Sequence, residues 1–193
     1  MTDLAPLRIG VTGSRKYASP AVIRTALVAA CRRGRPHLGH VLVHGQCDPF
    51  HPGTGHSVRW ATAKRMPWEV QGRYLGGDWL AEWAALDMAR ILEWEIEGHP
   101  ADWAAGRGAG FARNGGMVKL GADEWLAFGL PCSDSRCRRR GSHATHGTAD
   151  CAQKAIDAGI TLRPYGPGGE DVTLCGSLAI PGPVLVEWPA PGG

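Results

Sequence analysis

Residues 7–15 read Leu7-Arg8-Ile9-Gly10-Val11-Thr12-Gly13-Ser14-Arg15, an apolar run that breaks into a turn carrying a glycine, a hydroxyl and a guanidinium. A run this short, bounded by a turn, predicts a buried strand over 7–11 rather than a helix. A helix should follow. Ser19 supplies an N-cap oxygen, Pro20 suits the first helical position, and Val22, Ile23, Ala26, Leu27 and Ala30 make one apolar stripe. Val41-Leu42-Val43 predicts a second strand running into His44-Gly45.

The alternation continues outward from this unit. Leu80, Ala84, Met88 and Ile91 recur at helical spacing, 93–98 predicts a third strand, and the glycines around 106–110 lead into a helix through Arg113, Asn114, Met117 and Val118. Residues 125–128 predict a fourth strand, 148–158 a helix stopped by Gly159, and 160–162 a fifth strand. Strands alternating with helices predict an α/β class, a Rossmann-like doubly wound sheet of about five mainly parallel strands within residues 1–165. Residues 46–77 mix Pro, Gly, His and Trp with little periodicity and read as an insertion or a long active-site loop. Residues 166–193 form a Pro/Gly-rich tail, with 172–180 and 184–188 able to pair as a small hairpin.

Composition narrows the function classes. The chain has 193 residues, 44% of them hydrophobic and 20% charged, which excludes wholesale disorder. No stretch approaches the roughly 20 apolar residues that span a bilayer. Met1 to Pro6 lacks a basic segment and an apolar core, so no signal peptide is expected and the protein is expected to be cytoplasmic. Its six cysteines are then reduced thiols or metal ligands. A net charge of +3 is too mild for a dedicated nucleic-acid binder, and nucleic acid is not the expected partner. Arginine nevertheless outnumbers lysine 17 to 4, and guanidinium suits bidentate grips on phosphate.

The ordered motifs carry a resemblance. Val11-Thr12-Gly13-Ser14-Arg15, Val43-His44-Gly45, Gly77-Asp78, Ala101-Asp102-Trp103, Ala109-Gly110, Arg113-Asn114, Met117-Val118, Ala122-Asp123, Ala127-Phe128 and Gly147-Thr148 follow one another along the chain. This order resembles the SLOG superfamily, the Rossmann-like group that includes DNA-processing protein A and the Lonely Guy phosphoribohydrolases, and within it a small bacterial and phage branch. The likeness covers about residues 7–165, interrupted by 46–75. It implies a parallel sheet that binds a nucleotide or nucleotide-derived signal, commonly in a homodimer. The Lonely Guy enzymes cleave the N-glycosidic bond of a nucleoside monophosphate, with paired glycines before Gly-Thr and acidic residues after it. Here Thr145-His146 precede Gly147-Thr148 and only Asp150 follows nearby, which moves the expectation from hydrolase toward binder.

Glycine-rich segments after strand ends predict a phosphate cradle at the carboxyl rim of the sheet. Its candidates are Gly13, Ser14, Arg15, Gly45, Gly77, Asp78, Asp102, Gly110, Arg113, Asn114, Gly147 and Thr148. Arg15 and Arg113 would hold phosphate, and Asn114, the chain's only asparagine, would reach ribose or base. Asp78, Asp102 and Thr148 each divide between a ligand role and helix capping, and Asp150 between a remnant acid and a first-turn charge. If the protein is an N-glycosidase, Asp78 or Asp150 would serve sugar and water with Arg113 anchoring phosphate. A DNA-handling module is the third class. No cofactor is required, but Cys132, Cys137, His143 and His146 share one loop and form a candidate structural zinc site. Arg136, Arg138, Arg139 and Arg140 lie in the same loop, as a phosphate clamp or a solvated charge run. His44, Cys47, His51 and His56 form a looser cluster, and Trp60, Trp68, Trp79 and Trp83 are either base-stacking platforms or residues buried in the core or a dimer interface.

Overall fold

The computed structural model describes residues 5–33, 39–89, 92–138 and 144–168. Five strands, β1 (Leu7–Gly13), β2 (His40–His44), β3 (Trp94–Gly98), β4 (Glu124–Phe128) and β5 (Thr161–Tyr165), lie in the order β3-β2-β1-β4-β5. Every pairing is parallel. The expected α/β doubly wound architecture is the one observed. Chain order runs outward from β1 in both directions, so the carboxyl ends of β1 and β4 flank the topological switch point where such sheets bind ligands.

Side-chain alternation along the strands sorts the core into two layers. Ile9, Val11, Leu42, Leu126 and Phe128 face the helices α1 (Pro20–Arg33) and α4 (Gly77–Met88), packing on Ile23, Leu27, Leu80 and Ala84. Val41, Val43 and Trp125 face the other way, onto Met117 and Val118 of α5 (Ala109–Lys119) and Cys151 and Ala155 of α6 (His146–Asp157). Gly10 is demanded by this second layer, because a Cβ there would fall inside the buried indole of Trp125.

The segment between β2 and α4 holds two single-turn helices, α2 (Trp60–Ala63) and α3 (Trp68–Gln71). One turn is too short to show a 3.6-residue period, which is why 46–77 reads as irregular. The tryptophans of this region are packing residues. Trp60 meets Trp79 edge-on at 4.9 Å, Trp68 stacks on Trp83 at 5.4 Å, and the buried Trp79 donates its indole N–H to the Gln71 carbonyl at 2.8 Å. Together they fasten the segment to α4.

Three boundaries move by two residues or more, the first being the end of β1, which runs on to Gly13. Helix α6 begins at His146, two residues early, because Thr145 is the last extended residue and its hydroxyl turns to Ser14 at 2.6 Å rather than capping the helix. Strand β5 extends to Tyr165 through Pro164, which an edge strand tolerates because its outer side needs no N–H donor. Ile91, Arg139, Arg140, His143 and the hairpin expected within 172–188 lie outside the described residues. No helix among the described residues is long and apolar enough to cross a membrane.

Candidate functional site

A cleft of about 660 Å³ opens at the switch point, between the ends of β1 and β4 and the N-termini of α4, α5 and α6. Its size falls within the usual range for small-molecule sites. A second concavity of about 540 Å³ lies over the ends of β2 and β3 and shares Arg15, Cys47, Trp103 and Arg113 with the first. Of the predicted residues, Gly13, Ser14, Arg15, Asp78, Gly110, Arg113, Asn114, Gly147 and Thr148 line the main cleft, and Gly45 lines the second. Gly77, Asp102 and Asp150 line neither.

The helix ends give the cleft its polarity. Among the described residues, the backbone N–H groups of Gly110 and Phe111 in α5, and of Gly147 and Thr148 in α6, have no protein acceptor. Such amides, with the dipoles behind them, favour an anion. Charge reinforces this. Arg15, Lys16, Arg107, Arg113 and Arg136 line the cleft against two carboxylates, Asp78 and Asp134. Arg136 is paired with Asp134 at 3.2 Å, whereas Arg15, Lys16 and Arg107 have no ion-pair partner among the described residues and are exposed.

Several predicted side chains act on the protein itself. The Arg113 guanidinium donates to the carbonyls of Gly45 and His99, to Cys47 Sγ at 3.3 Å and to Asn114 Oδ1 at 3.0 Å. Four of its five N–H donors are thereby engaged, tying the ends of β2 and β3 to α5. Gly45 leaves room for it, because a Cβ there would displace the guanidinium from these partners. Asn114, in turn, donates to Gly147 O at 3.2 Å and to Asp150 at 2.9 Å. Asp150 also receives Lys154 Nζ at 2.6 Å, so this carboxylate is a fastener between α5 and α6. Asp102 caps the 3₁₀ turn Trp103–Ala105 by accepting from Ala104 N at 3.1 Å.

The cleft floor is a hydroxyl triangle. Ser14 Oγ lies 2.6 Å from Thr145 Oγ1 and accepts from Leu130 N at 2.9 Å, while Thr148 Oγ1 stands 3.0 Å from Thr145. Asp78 is buried beside it and accepts from Cys47 N at 3.3 Å. Burial, with Asp78 adding to it, pushes the Cys47 thiol up to about 11 despite the neighbouring Arg113. Cys151, behind the floor, is pushed up by burial to about 12. Both are neutral thiols at physiological pH and neither is an activated nucleophile.

Three features were not anticipated as binding groups. Trp103 and Phe111 line the cleft and are 56% and 45% exposed, unusual for rings of this size. Arg15 lies over the Trp103 ring at 5.8 Å, and Arg107 stands in the same wall. The signal for Trp103 was compositional: a lone large aromatic between Asp102 and an Ala/Gly/Arg stretch has no apolar partner at helical spacing.

Cys132, Cys137 and His146 come together at the rim, their ligand atoms all within 4.8 Å of one another, and this group could hold a metal ion. Of the four residues expected there, His143 lies outside the described residues. The looser cluster does not assemble: His44 is fully buried against Glu82 at 3.0 Å, and His51 packs edge-on to Tyr74. Comparison with family models, with curated proteins and with solved structures finds no match.

Proposed function

We propose that the protein binds a nucleotide or nucleotide-derived ligand in the switch-point cleft, its phosphate on the open N-termini of α5 and α6 and on Arg15, its base against Trp103 or Phe111. The observation that carries this reading is the coincidence, in one cleft, of four helix-end amides without acceptors and three cations without ion-pair partners among the described residues, beside two exposed aromatic faces. Anion donors alone fit any phosphate or sulfate. Flat apolar rings beside them add a reason for a base. The ordered resemblance to the SLOG superfamily points the same way.

Turnover is not part of the proposal. Asp150 is held by Asn114 and Lys154 outside the cleft, which leaves Asp78 as the one predicted carboxylate lining it. The cations converge on a concavity, which favours a small ligand over a DNA duplex. Zn²⁺ is the metal whose chemistry fits two thiolates and an imidazole, and we assign it to Cys132, Cys137 and His146.

Calorimetry against AMP, GMP, CMP and their diphosphates tests the reading. Micromolar or tighter binding of at least one is expected, with no free base released on prolonged incubation. Silence across the panel refutes nucleotide binding. Rapid base release that Asp78→Asn abolishes would replace the binder with an N-glycosidase.

A further inference from the structure

The two S-to-N distances in the Cys132, Cys137 and His146 group are close to those of a zinc centre, and all three ligand atoms lie within 4.8 Å of one another. Ligands at the usual Zn–S distance of about 2.3 Å and Zn–N of about 2.0–2.1 Å, at tetrahedral angles, stand roughly 3.5 Å apart from S to N. His146 Nε2 lies 3.6 Å from Cys132 Sγ and 3.2 Å from Cys137 Sγ. Little movement is needed to close on an ion. The cysteines come from the loop after β4, and His146 opens α6, so an ion there would bridge the two elements that make one wall of the cleft.

The position of this centre matters as much as its spacing. Cys132 and His146 themselves line the cleft, and the residues following His146 are Gly147 and Thr148, whose amides are unpaired among the described residues. An ion held here stands beside the place where an anion would sit. Two thiolates neutralise its charge. Among the described residues three ligands converge here, and zinc held by three protein ligands keeps a fourth position for water or a ligand oxygen.

We propose that a zinc ion on Cys132, Cys137 and His146 presents its fourth coordination position to the cleft and gives it to a phosphate oxygen of the bound nucleotide. Binding exchanges one water on the ion for one phosphate oxygen, and no covalent bond within the nucleotide changes. This deepens the nucleotide reading and rests on it. Metal and phosphate ligand are then thermodynamically coupled: each raises the affinity for the other by the same factor.

The test is cobalt substitution of the full chain. Zinc is first measured by elemental analysis in protein made with zinc supplied and no chelator, where about one ion per chain is expected. The ion is then exchanged for Co²⁺, and the visible spectrum is recorded during titration with AMP, GMP, CMP, inorganic phosphate and, as a control, adenosine. A tetrahedral thiolate–cobalt spectrum that shifts with the phosphate-bearing probes but not with adenosine is the expected result. Removing the ion should weaken the bound nucleotide about tenfold by calorimetry. The paired change Cys132→Ser with Cys137→Ser should do the same while a far-ultraviolet circular dichroism spectrum stays that of the parent.

Failure separates cleanly from failure of the nucleotide reading. Substoichiometric metal overturns the centre whatever calorimetry shows. A full metal load whose cobalt spectrum ignores AMP, GMP and CMP while one of them binds calorimetrically means a position closed by the protein, and it overturns the proposal while nucleotide binding stands. A spectrum that answers inorganic phosphate when no nucleotide binds keeps the exchangeable position, removes the nucleotide as its occupant and so overturns the proposal as stated.

Discussion

Gly13 and Gly77 bring the end of β1 against the start of α4 beside the cleft, and an alanine at 13 perturbs this approach directly. A Cβ at Gly13 would stand 2.5 Å from Gly77 Cα, with Gly77 C at 3.2 Å and N at 3.3 Å. Carbon atoms pack best at about 3.5–4.0 Å, so about 1 Å or more of separation must be found. All three obstructing atoms are backbone, so no rotamer change relieves the clash. The end of β1 must part from the start of α4, stretching the Gly77 N–H to Ser14 O hydrogen bond of 3.1 Å. Overpacking of this kind costs about 1–3 kcal/mol, sometimes more. For a chain of this length each kcal/mol lowers Tm by about 2–4 °C. Gly116 is the control: it is exposed in the middle of α5, and a Cβ there meets nothing within 4 Å. Gly116→Ala should stabilise by about 0.5–1 kcal/mol through helix propensity and loss of unfolded-state entropy. Urea denaturation of the two variants against the parent measures both. If Gly13→Ala is as stable as the parent, the tight β1–α4 approach does not exist in solution and the cleft floor is differently built.

The two cleft arginines should part company: Arg15→Ala weakens nucleotide binding by about 1.5–3 kcal/mol with little effect on Tm, whereas Arg113→Ala lowers Tm first, by leaving the Gly45 and His99 carbonyls without their donor. Equal stability of the two variants would contradict this division. Asn114→Ala should cost about 1–3 kcal/mol of stability, read in urea, since it leaves Arg113 Nε and Asp150 short of a partner. Burial raises the Glu82 carboxyl, but the adjacent His44 and the hydrogen-bonded Lys64 outweigh it and hold the carboxyl below the usual range. A depressed value means stability that is present above the unfolded glutamate value of about 4.3 and lost as pH falls through the lower folded one. The urea midpoint of the parent should therefore fall more steeply on acidification below about pH 4.3 than that of Glu82→Gln, and parallel curves would show that Glu82 is not the group responsible.

The fold was legible because its signals are local. Short apolar runs, a Ser19-Pro20 helix start and Gly159 at φ 74° after α6 each act within a few residues, and each prediction holds. The segment 46–77 was not legible, since helices of one turn carry no period and their stability comes from indole contacts with α4. The aromatic pairs Trp60–Trp79 and Trp68–Trp83 are visible only once the chain is folded.

Legibility of the site divides along the same line, between backbone position and side-chain direction. Strand-end glycines mark where the chain turns, so the rim and its open helix ends could be located from 13, 110 and 147. Which donors remain available there depends on distant partners. Arg15 and Arg113 have the same chemistry in the sequence, yet Arg113 reaches back over Gly45 into carbonyls from two strand ends, while Arg15 lies at the surface over Trp103. Asp78 and Asp150 separate in the same way, one buried in the cleft wall and the other tied by Lys154 on its own helix. A motif therefore locates a rim, but the groups open to a ligand are those the fold leaves without partners, and among the described residues these are Arg15, Lys16, Arg107, two aromatic faces and the ends of α5 and α6.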